Sequence, residues 1–131
     1  MVTVSQKWFG EQAKKAAEVL AGKSALEIGL FVEGQAKELA PVRTGRLRGS
    51  IMTASKDFQS DNEGEKIKPP DTIGEVFVGS AVEYAAYMEY GTGKTSAQPF
   101  LRPALDIAQD RALTIVEQDG KAVFEEYLSE T

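Results

Sequence analysis

Apolar side chains recur at intervals of three and four residues through the first forty positions, and this spacing predicts helices. One helix is predicted over residues 5–21 and a second over residues 24–39. Ser24, followed by Glu27 three residues later, fits a capping box at the start of the second helix. The pattern leaves open whether these are two helices or one longer helix with a kink near Gly22.

The middle of the chain predicts two strands separated by a polar segment. Residues 47–55 carry some β-forming side chains, and residues 73–80 form the clearer strand, with apolar side chains on both faces. Between them, residues 56–71 are rich in Asp, Glu, Lys and Gly and end in two prolines. Because few apolar side chains could anchor this segment, we predict a long mobile loop or hairpin.

The last third of the chain returns to helical spacing. A short helix is predicted over residues 81–90, followed by an irregular loop that contains glycines. A final amphipathic helix is predicted from Pro103, because proline suits the first turn of a helix. Asp119 and Gly120 are expected to break or kink this helix, since glycine weakens a helix interior.

Composition narrows the class of protein. The 131 residues fit one domain spanning residues 1–131, and the apolar fraction of 42% is ordinary for a globular protein. The chain has neither cysteine nor histidine, which excludes disulfides, zinc–thiolate sites and catalysis by Ser–His or Cys–His pairs. No segment approaches the roughly 20 apolar residues of a membrane span. Any enzyme here would have to use carboxylates, Lys, Tyr or a Ser–Lys pair.

Charge is distributed unevenly along the chain. The net charge is −5 and the pI is near 4.8, which disfavours a general nucleic-acid binder. An excess of acidic side chains from Pro103 onward accounts for the whole net charge. A basic cluster lies at Arg43, Arg46 and Arg48. This cluster could contact an acidic partner surface or passing DNA, or it could be solvated charge that pairs with the chain's own carboxylates.

The segment from Gly91 to Thr95 resembles a phosphate-binding loop, but the match fails. The P-loop pattern requires a glycine five residues before Gly93, and Met88 stands at that position. Prolines follow where the helix of a P-loop should begin. We interpret the segment as a glycine-rich loop whose backbone adopts angles that favour glycine.

Three tyrosines follow one another at three-residue spacing: Tyr84, Tyr87 and Tyr90. On a helix they form a loose stripe, which is compatible both with an interface, where Tyr is favoured, and with core packing. Glu89 lies among them, and a buried Glu would require a partner such as a loop N–H or an arginine.

Two acidic pairs could in principle serve a glycosidase or a metal ion: Asp106 with Asp110, and Glu125 with Glu126. Asp106 and Asp110 are four residues apart on the predicted final helix and could share a cation. No third ligand is evident, so we interpret both pairs as part of a solvated acidic face.

Three segments form an ordered set. Residues 41–51, together with Ala40 directly before them, fit the pattern A-P-x-x-T-G-x-L-x-x-S-I. Residues 78–93 fit V-G-s…Y-A-x-x-x-E-x-G-T, and residues 97–104 fit P-F-L-x-P-A. In this order, with helices on both sides, the chain resembles the tail-component family of long-tailed double-stranded DNA phages and prophages. The long acidic loop at 56–71 is the main departure.

The resemblance implies an α+β fold with a small, mostly antiparallel sheet packed against N-terminal helices and a C-terminal helix. It also implies a structural virion protein of the neck that acts in tail completion or head–tail joining. Such a protein is expected to form a ring, with six-fold symmetry, and to dock onto other neck and tail proteins. It would touch DNA only passively in the channel. The resemblance further implies no enzyme, no cofactor, no metal, no small-molecule substrate and no membrane contact. The protein would be made in the bacterial host cytoplasm and reside in the virion.

A ring requires one patch of each copy to meet a different patch of the next. The basic segment and the acidic final helix are candidate opposites, and the 56–71 loop could fold onto a neighbour. The residues expected at a subunit or partner interface are Arg43, Arg46, Arg48, Tyr84, Tyr87, Glu89, Tyr90 and Phe100.

Two alternatives remain open at the level of sequence. Within the same class, the chain could be a tail terminator, a ring that caps the tail tube. In a different class, it could bind nucleotide through Gly91–Thr95 or DNA through Arg43, Arg46 and Arg48.

Overall fold

A computed structural model describes residues 2–41 and 45–128 of the chain. Arg43, a member of the predicted interface, lies outside the described residues. The elements in chain order are α1 (Val2–Leu39), α2 (Arg46–Ser50), β1 (Met52–Ala54), β2 (Phe77–Gly79), α3 (Ala85–Tyr90) and α4 (Leu101–Leu128). This composition of helices and a small sheet confirms the α+β class.

Residues 2–39 form one helix, which settles the question that the sequence left open. α1 has 38 residues and passes through Gly22 without interruption. The predicted capping box is wrong, because Ser24 lies inside α1 and is buried. Its hydroxyl donates a hydrogen bond to Asp119 on α4 over 3.0 Å. A partner helix along this stretch offsets the roughly 1 kcal/mol that glycine costs a helix interior.

α4 runs antiparallel to α1. Leu20 packs against Gly120, Ser24 binds Asp119, and the Arg111 guanidinium lies over the Phe31 ring at 5.1 Å, so rising numbers on α1 meet falling numbers on α4.

The predicted break at Asp119 and Gly120 is wrong, and α4 is continuous through both. Both residues are buried against α1, where Asp119 also pairs with Lys23 at 3.7 Å. Contacts with α1 therefore keep α4 helical at these two positions, and residue type alone could not predict those contacts. The helix also begins at Leu101, two residues before the predicted start.

The sheet has two antiparallel strands, with Met52 opposite Gly79 and Ala54 opposite Phe77. Both strands are shorter than predicted. The first half of the predicted strand 47–55 is instead the helix α2, which Gly45 introduces in a left-handed conformation (φ 77°). The Ser50 hydroxyl stabilises α2 by donating a hydrogen bond to the Leu47 carbonyl over 2.7 Å. Such local hydrogen bonds compete with strand pairing.

The sheet packs closely on α1 because α1 presents a glycine to it. A Cβ at Gly29 would lie 2.8 Å from Val76 Cγ2 and 3.0 Å from Thr53 Cγ2. The Thr53 hydroxyl also donates to the Gly29 carbonyl over 3.2 Å. Gly29 therefore determines how closely β1 and the segment before β2 approach the helix.

The predicted loop at 56–71 is present and contains no helix or strand. It turns back beside β1, where Ser60 N–H donates to the Thr53 carbonyl over 2.9 Å and the Asn62 amide donates to the Ser50 carbonyl over 2.9 Å. A bridge between Ala54 and Gln59 continues this contact. The loop therefore covers the outer edge of β1. Its mobility stays a prediction.

The core lies where α1, α2 and the start of α4 meet. Its buried members are Val32, Ala36, Ala40, Leu47, Ile51, Phe100, Ala104 and Ala108. Half of these are alanines, which allow the helix backbones to approach one another. Despite the lengths of α1 and α4, no stretch of helix in the described part of the chain is apolar enough to cross a membrane.

Candidate assembly interface

Glu89 joins the end of α3 to the beginning of α4. Only 3% of the surface of Glu89 is exposed. One carboxylate oxygen accepts hydrogen bonds from the N–H groups of Phe100 (3.0 Å) and Leu101 (2.8 Å), and the other accepts from the N–H of Arg102 (3.1 Å). The first turn of a helix has N–H groups without partners inside the helix. Glu89 satisfies three of them and places negative charge at the positive end of the helix dipole.

Arg102 completes this junction. Its Nε donates to the Glu89 carboxylate over 2.8 Å, and its Nη2 donates to the Glu89 carbonyl over 2.6 Å. The guanidinium also lies over the ring of Tyr90, 4.7 Å from the ring centre. A half-exposed arginine thus holds together a buried carboxylate, the end of α3 and an exposed aromatic ring.

Opposing effects act on the pKa of Glu89. Burial on its own raises it, because a buried carboxylate loses solvation. The hydrogen bonds from the Leu101 N–H, the Arg102 guanidinium and the N–H groups of Phe100 and Arg102 outweigh burial, so the pKa lies below its ordinary value of 4.5. Glu89 is therefore ionised at neutral pH, as its role at the helix end requires.

Contacts within the loop between α3 and α4 determine its conformation. Gly91 has φ 79°, and a Cβ there would lie 2.8 Å from the Ala97 nitrogen. The hydroxyl of Thr92 accepts from the N–H groups of Lys94 (3.2 Å) and Thr95 (3.0 Å). A phosphate cradle needs such N–H groups to be available to the ligand. The geometry therefore gives no support to nucleotide binding at Gly91–Thr95.

The predicted tyrosine stripe divides into two kinds of residue. Tyr84 is half-buried and packs against the core. Tyr87 and Tyr90 are exposed over 61% and 70% of their surface. Phe100, also predicted at the interface, has no exposed surface and lies in the core. The surface that can meet a partner at this corner consists of Tyr87, Tyr90 and Arg102, and we call it the tyrosine corner.

Arg46 and Arg48, the two members of the predicted arginine cluster that the structure describes, have different partners. Arg46 points toward α3, where it pairs with Glu83 at 3.5 Å and lies 5.6 Å from the centre of the Tyr84 ring. Arg48 donates from its Nε to the Lys37 carbonyl at the end of α1 over 2.8 Å. Both arginines remain exposed. They are held in different directions and leave two separate basic positions on α2.

Asp106 and Asp110, like Glu125 and Glu126, are exposed on α4, as expected, whereas Asp119 on the same helix is buried. Within residues 2–41 and 45–128, no group of three or more acidic side chains could hold a metal ion.

Sequence reasoning missed Arg102 and the Ser24–Asp119 contact. The partners in these contacts are 13 and 95 residues apart, a separation that helical periodicity does not register. Arg102 had one available signal, because Glu89 was expected to need an arginine or a loop N–H if it was buried. Both kinds of partner are present.

The chain matches a known protein family. The model of a family described as "Bacteriophage HK97-gp10, putative tail-component" matches residues 5–91, well over half of the chain. The matched part includes α2, both strands and α3, whereas the Pro99–Ala104 segment and α4 lie beyond it. No curated protein and no solved structure matches the chain.

Proposed function

Because the chain belongs to the HK97-gp10-like family of phage tail components, we propose that it is a structural virion protein of the head–tail junction, acting in tail completion or head–tail joining. In this role its copies assemble into a ring, which docks onto other neck and tail proteins. A six-membered ring fits the symmetry expected at a phage tail. DNA in the central channel is a passive neighbour.

The tyrosine corner is the observation that carries the proposal. Tyr87 and Tyr90 expose most of their surface, on a short helix whose end is fixed by the buried Glu89. Tyrosine and arginine are the residue types most enriched at the centres of protein interfaces. A fixed junction presents them without the entropy loss of ordering a loop on binding. These properties favour a protein partner.

The ring also needs a contact between unlike patches. Arg46 and Arg48 on α2 supply exposed positive charge, and the exposed face of α4 supplies Asp106, Asp110 and Glu117. Within the described residues, none of these three carboxylates takes part in an ion pair. Attraction between α2 of one copy and α4 of the next would orient the subunits and speed their association.

The experiment compares assembly of matched variants. We expect Tyr87→Ala combined with Tyr90→Ala to lower the mass of the assembly in analytical ultracentrifugation, with or without purified tail tubes. The control is Ile73→Ala, which removes a side chain of comparable exposure, 53%, outside the tyrosine corner. Circular dichroism checks that all variants fold. Assembly by the tyrosine variant that equals assembly by the control would contradict the proposed interface.

The same material separates the joining role from that of a tail terminator. A joining protein should be required to connect filled heads to tails. A terminator should cap purified tubes when no head is present, and that result would assign the ring to the end of the tube.

A further inference from the structure

The two long helices each carry an interior glycine at the same level of the helix pair. Gly22 lies within α1, and Gly120 is the glycine of α4. Leu20 packs against Gly120, and Ser24 binds Asp119, so both glycines lie within the same turn of the paired helices. Each glycine weakens its helix locally, because it leaves the backbone more conformational freedom than any other residue does.

Packing does not require glycine at either position. A Cβ added at Gly22 would lie 3.8 Å from Ile73 Cγ2, and a Cβ added at Gly120 would lie 3.6 Å from Leu20 Cδ2. Both distances are ordinary van der Waals contacts, unlike the 2.8 Å collision that a Cβ would make at Gly29. Alanine would therefore fit at Gly22 and Gly120 and would favour the helix at both.

The sheet side of the molecule stops supporting α1 at the same level. Gly74 packs against Ala21, since a Cβ on this glycine would lie 3.1 Å from the Ala21 Cβ. On the N-terminal side of Ala21, α1 instead borders an open cleft of about 650 Å³. The helices beyond the two glycines therefore have room to move. The cleft is lined by Lys14, Ala17, Glu18 and Ala21 on α1, and by Lys56, Asp71, Thr72 and Ile73 on the opposite wall.

We propose that Gly22 and Gly120 form a paired hinge, about which an outer arm of the molecule bends into the cleft. The outer arm consists of residues 2–21 of α1 and residues 121–128 of α4. Glycine is among the few recognised causes of a sharp bend in a helix. A bend in one helix alone would separate it from the other, whereas bends at one level keep the two helices in contact.

Contacts beside the hinge keep the outer arm attached. The buried Ser24 hydroxyl donates to Asp119, and Asp119 also pairs with Lys23. These contacts join α1 to α4 within one turn of the two glycines, so the arm changes its angle without leaving the rest of the molecule. The hinge is a property of the single chain and does not depend on the proposed ring. An arm of adjustable angle suits docking onto a neighbouring protein.

Charged side chains on the two walls favour closure of the cleft. The α1 wall carries Lys14 and Glu18, and the opposite wall carries Lys56 and Asp71. Within the described residues, none of these four side chains takes part in an ion pair. Because each wall has one side chain of each sign, closure brings opposite charges near one another. Exposed ion pairs are weak, so they bias the hinge without locking it.

The distance between two spin labels tests the hinge, because the chain has no cysteine of its own. Glu11→Cys places one label on the outer arm, and Thr72→Cys places the other across the cleft. Glu11 lies about 16 Å along the helix from Gly22, so a bend of about 20° would move it by about 6 Å. We expect double electron–electron resonance to give a distance distribution at least about this broad. Dilution with unlabelled chain removes distances between copies.

Alanine substitutions then separate the hinge from general stabilisation of α1. Gly22→Ala combined with Gly120→Ala should narrow the distribution to its longer distances. Gly34→Ala is the matched control, because a Cβ there meets nothing within 4 Å in the same helix. It should leave the distribution unchanged. A parent distribution already as narrow as that of the double variant, or equal narrowing by Gly34→Ala, would overturn the hinge.

Hydrogen exchange gives a second measurement that needs no labels. The backbone N–H groups of residues 24–26 donate to the carbonyls of residues 20–22 in a regular helix. Gly22→Ala should slow their exchange about fivefold, because local opening at the glycine becomes less favourable. Gly34→Ala should leave exchange at these positions unchanged. Equal slowing by the two substitutions would show that α1 opens as a whole and that Gly22 is no hinge.

Discussion

Glu89 shows how much one side chain can organise. It satisfies three N–H groups at the start of α4, binds Arg102 and has almost no exposed surface. The sequence predicted the requirement for partners but not their identity, because the partners follow a loop whose path depends on its own hydrogen bonds. The neighbouring aromatic Tyr90 then takes its position from Arg102.

Replacing Glu89 by Gln should therefore be costly although the shape of the side chain is kept. Gln has one acceptor oxygen and no charge, so part of the helix end and the Arg102 guanidinium lose their partner. We expect the free energy of unfolding to fall by about 2 kcal/mol or more, measured by urea denaturation. Glu83→Gln is the control, because Glu83 is 77% exposed and makes a surface pair with Arg46. It should change stability by less than about 0.5 kcal/mol.

The lowered pKa of Glu89 predicts a pH dependence with a definite sign. A carboxylate whose pKa is lower in the folded state stabilises the fold above its ordinary pKa of 4.5, and this stabilisation is lost as pH falls through the lowered pKa. The stability difference between the parent chain and Glu89→Gln should therefore be constant near neutral pH and shrink in acid.

Glu27 makes an opposing contribution to the pH dependence of the free energy of unfolding, and the comparison with Glu89→Gln removes it. Partial loss of solvation, together with a hydrogen bond and like charge from Asp119, raises the pKa of the exposed Glu27, so that its ionisation opposes folding as pH rises. This contribution is present in both proteins and cancels in the difference. A difference in stability that stays constant down to pH 3 would contradict the role assigned to Glu89.

At the scale of elements, the long helices were the most predictable part and the short elements the least. The three- and four-residue spacing marked α1 and α4 because each has one side packed against the other. It left the continuity of α1 at Gly22 open and failed at Asp119–Gly120, where contacts between helices override the preference of a residue type. It also failed at α2, where too few residues were available to establish a period.

Two glycines in α1 provide a matched test of this packing. At Gly34 a Cβ would meet nothing within 4 Å, so Gly34→Ala should raise the free energy of unfolding by about 0.5–1 kcal/mol. At Gly29 a Cβ would collide with Val76 and Thr53. Gly29→Ala should lower the free energy of unfolding by about 1–3 kcal/mol. Urea denaturation measures both, and stabilisation by both substitutions would show that the sheet does not lie close to α1.

At the scale of the whole molecule, the sequence supported the class of protein better than its surfaces. Ordered short motifs led to a phage tail component, and the match over residues 5–91 agrees with that class. The predicted interface set mixed exposed residues with Phe100 and Glu89, which are buried. Residue type alone does not separate a tyrosine in the core from one at the surface, because the difference depends on which way α3 faces.

The proposed function depends on contacts between copies of this chain, and native mass spectrometry of the intact protein with purified tail tubes tests these contacts most directly. We expect a closed assembly with a single copy number, six if the ring follows the symmetry of the tail. Monomer alone under all conditions, with tail tubes present, would contradict it.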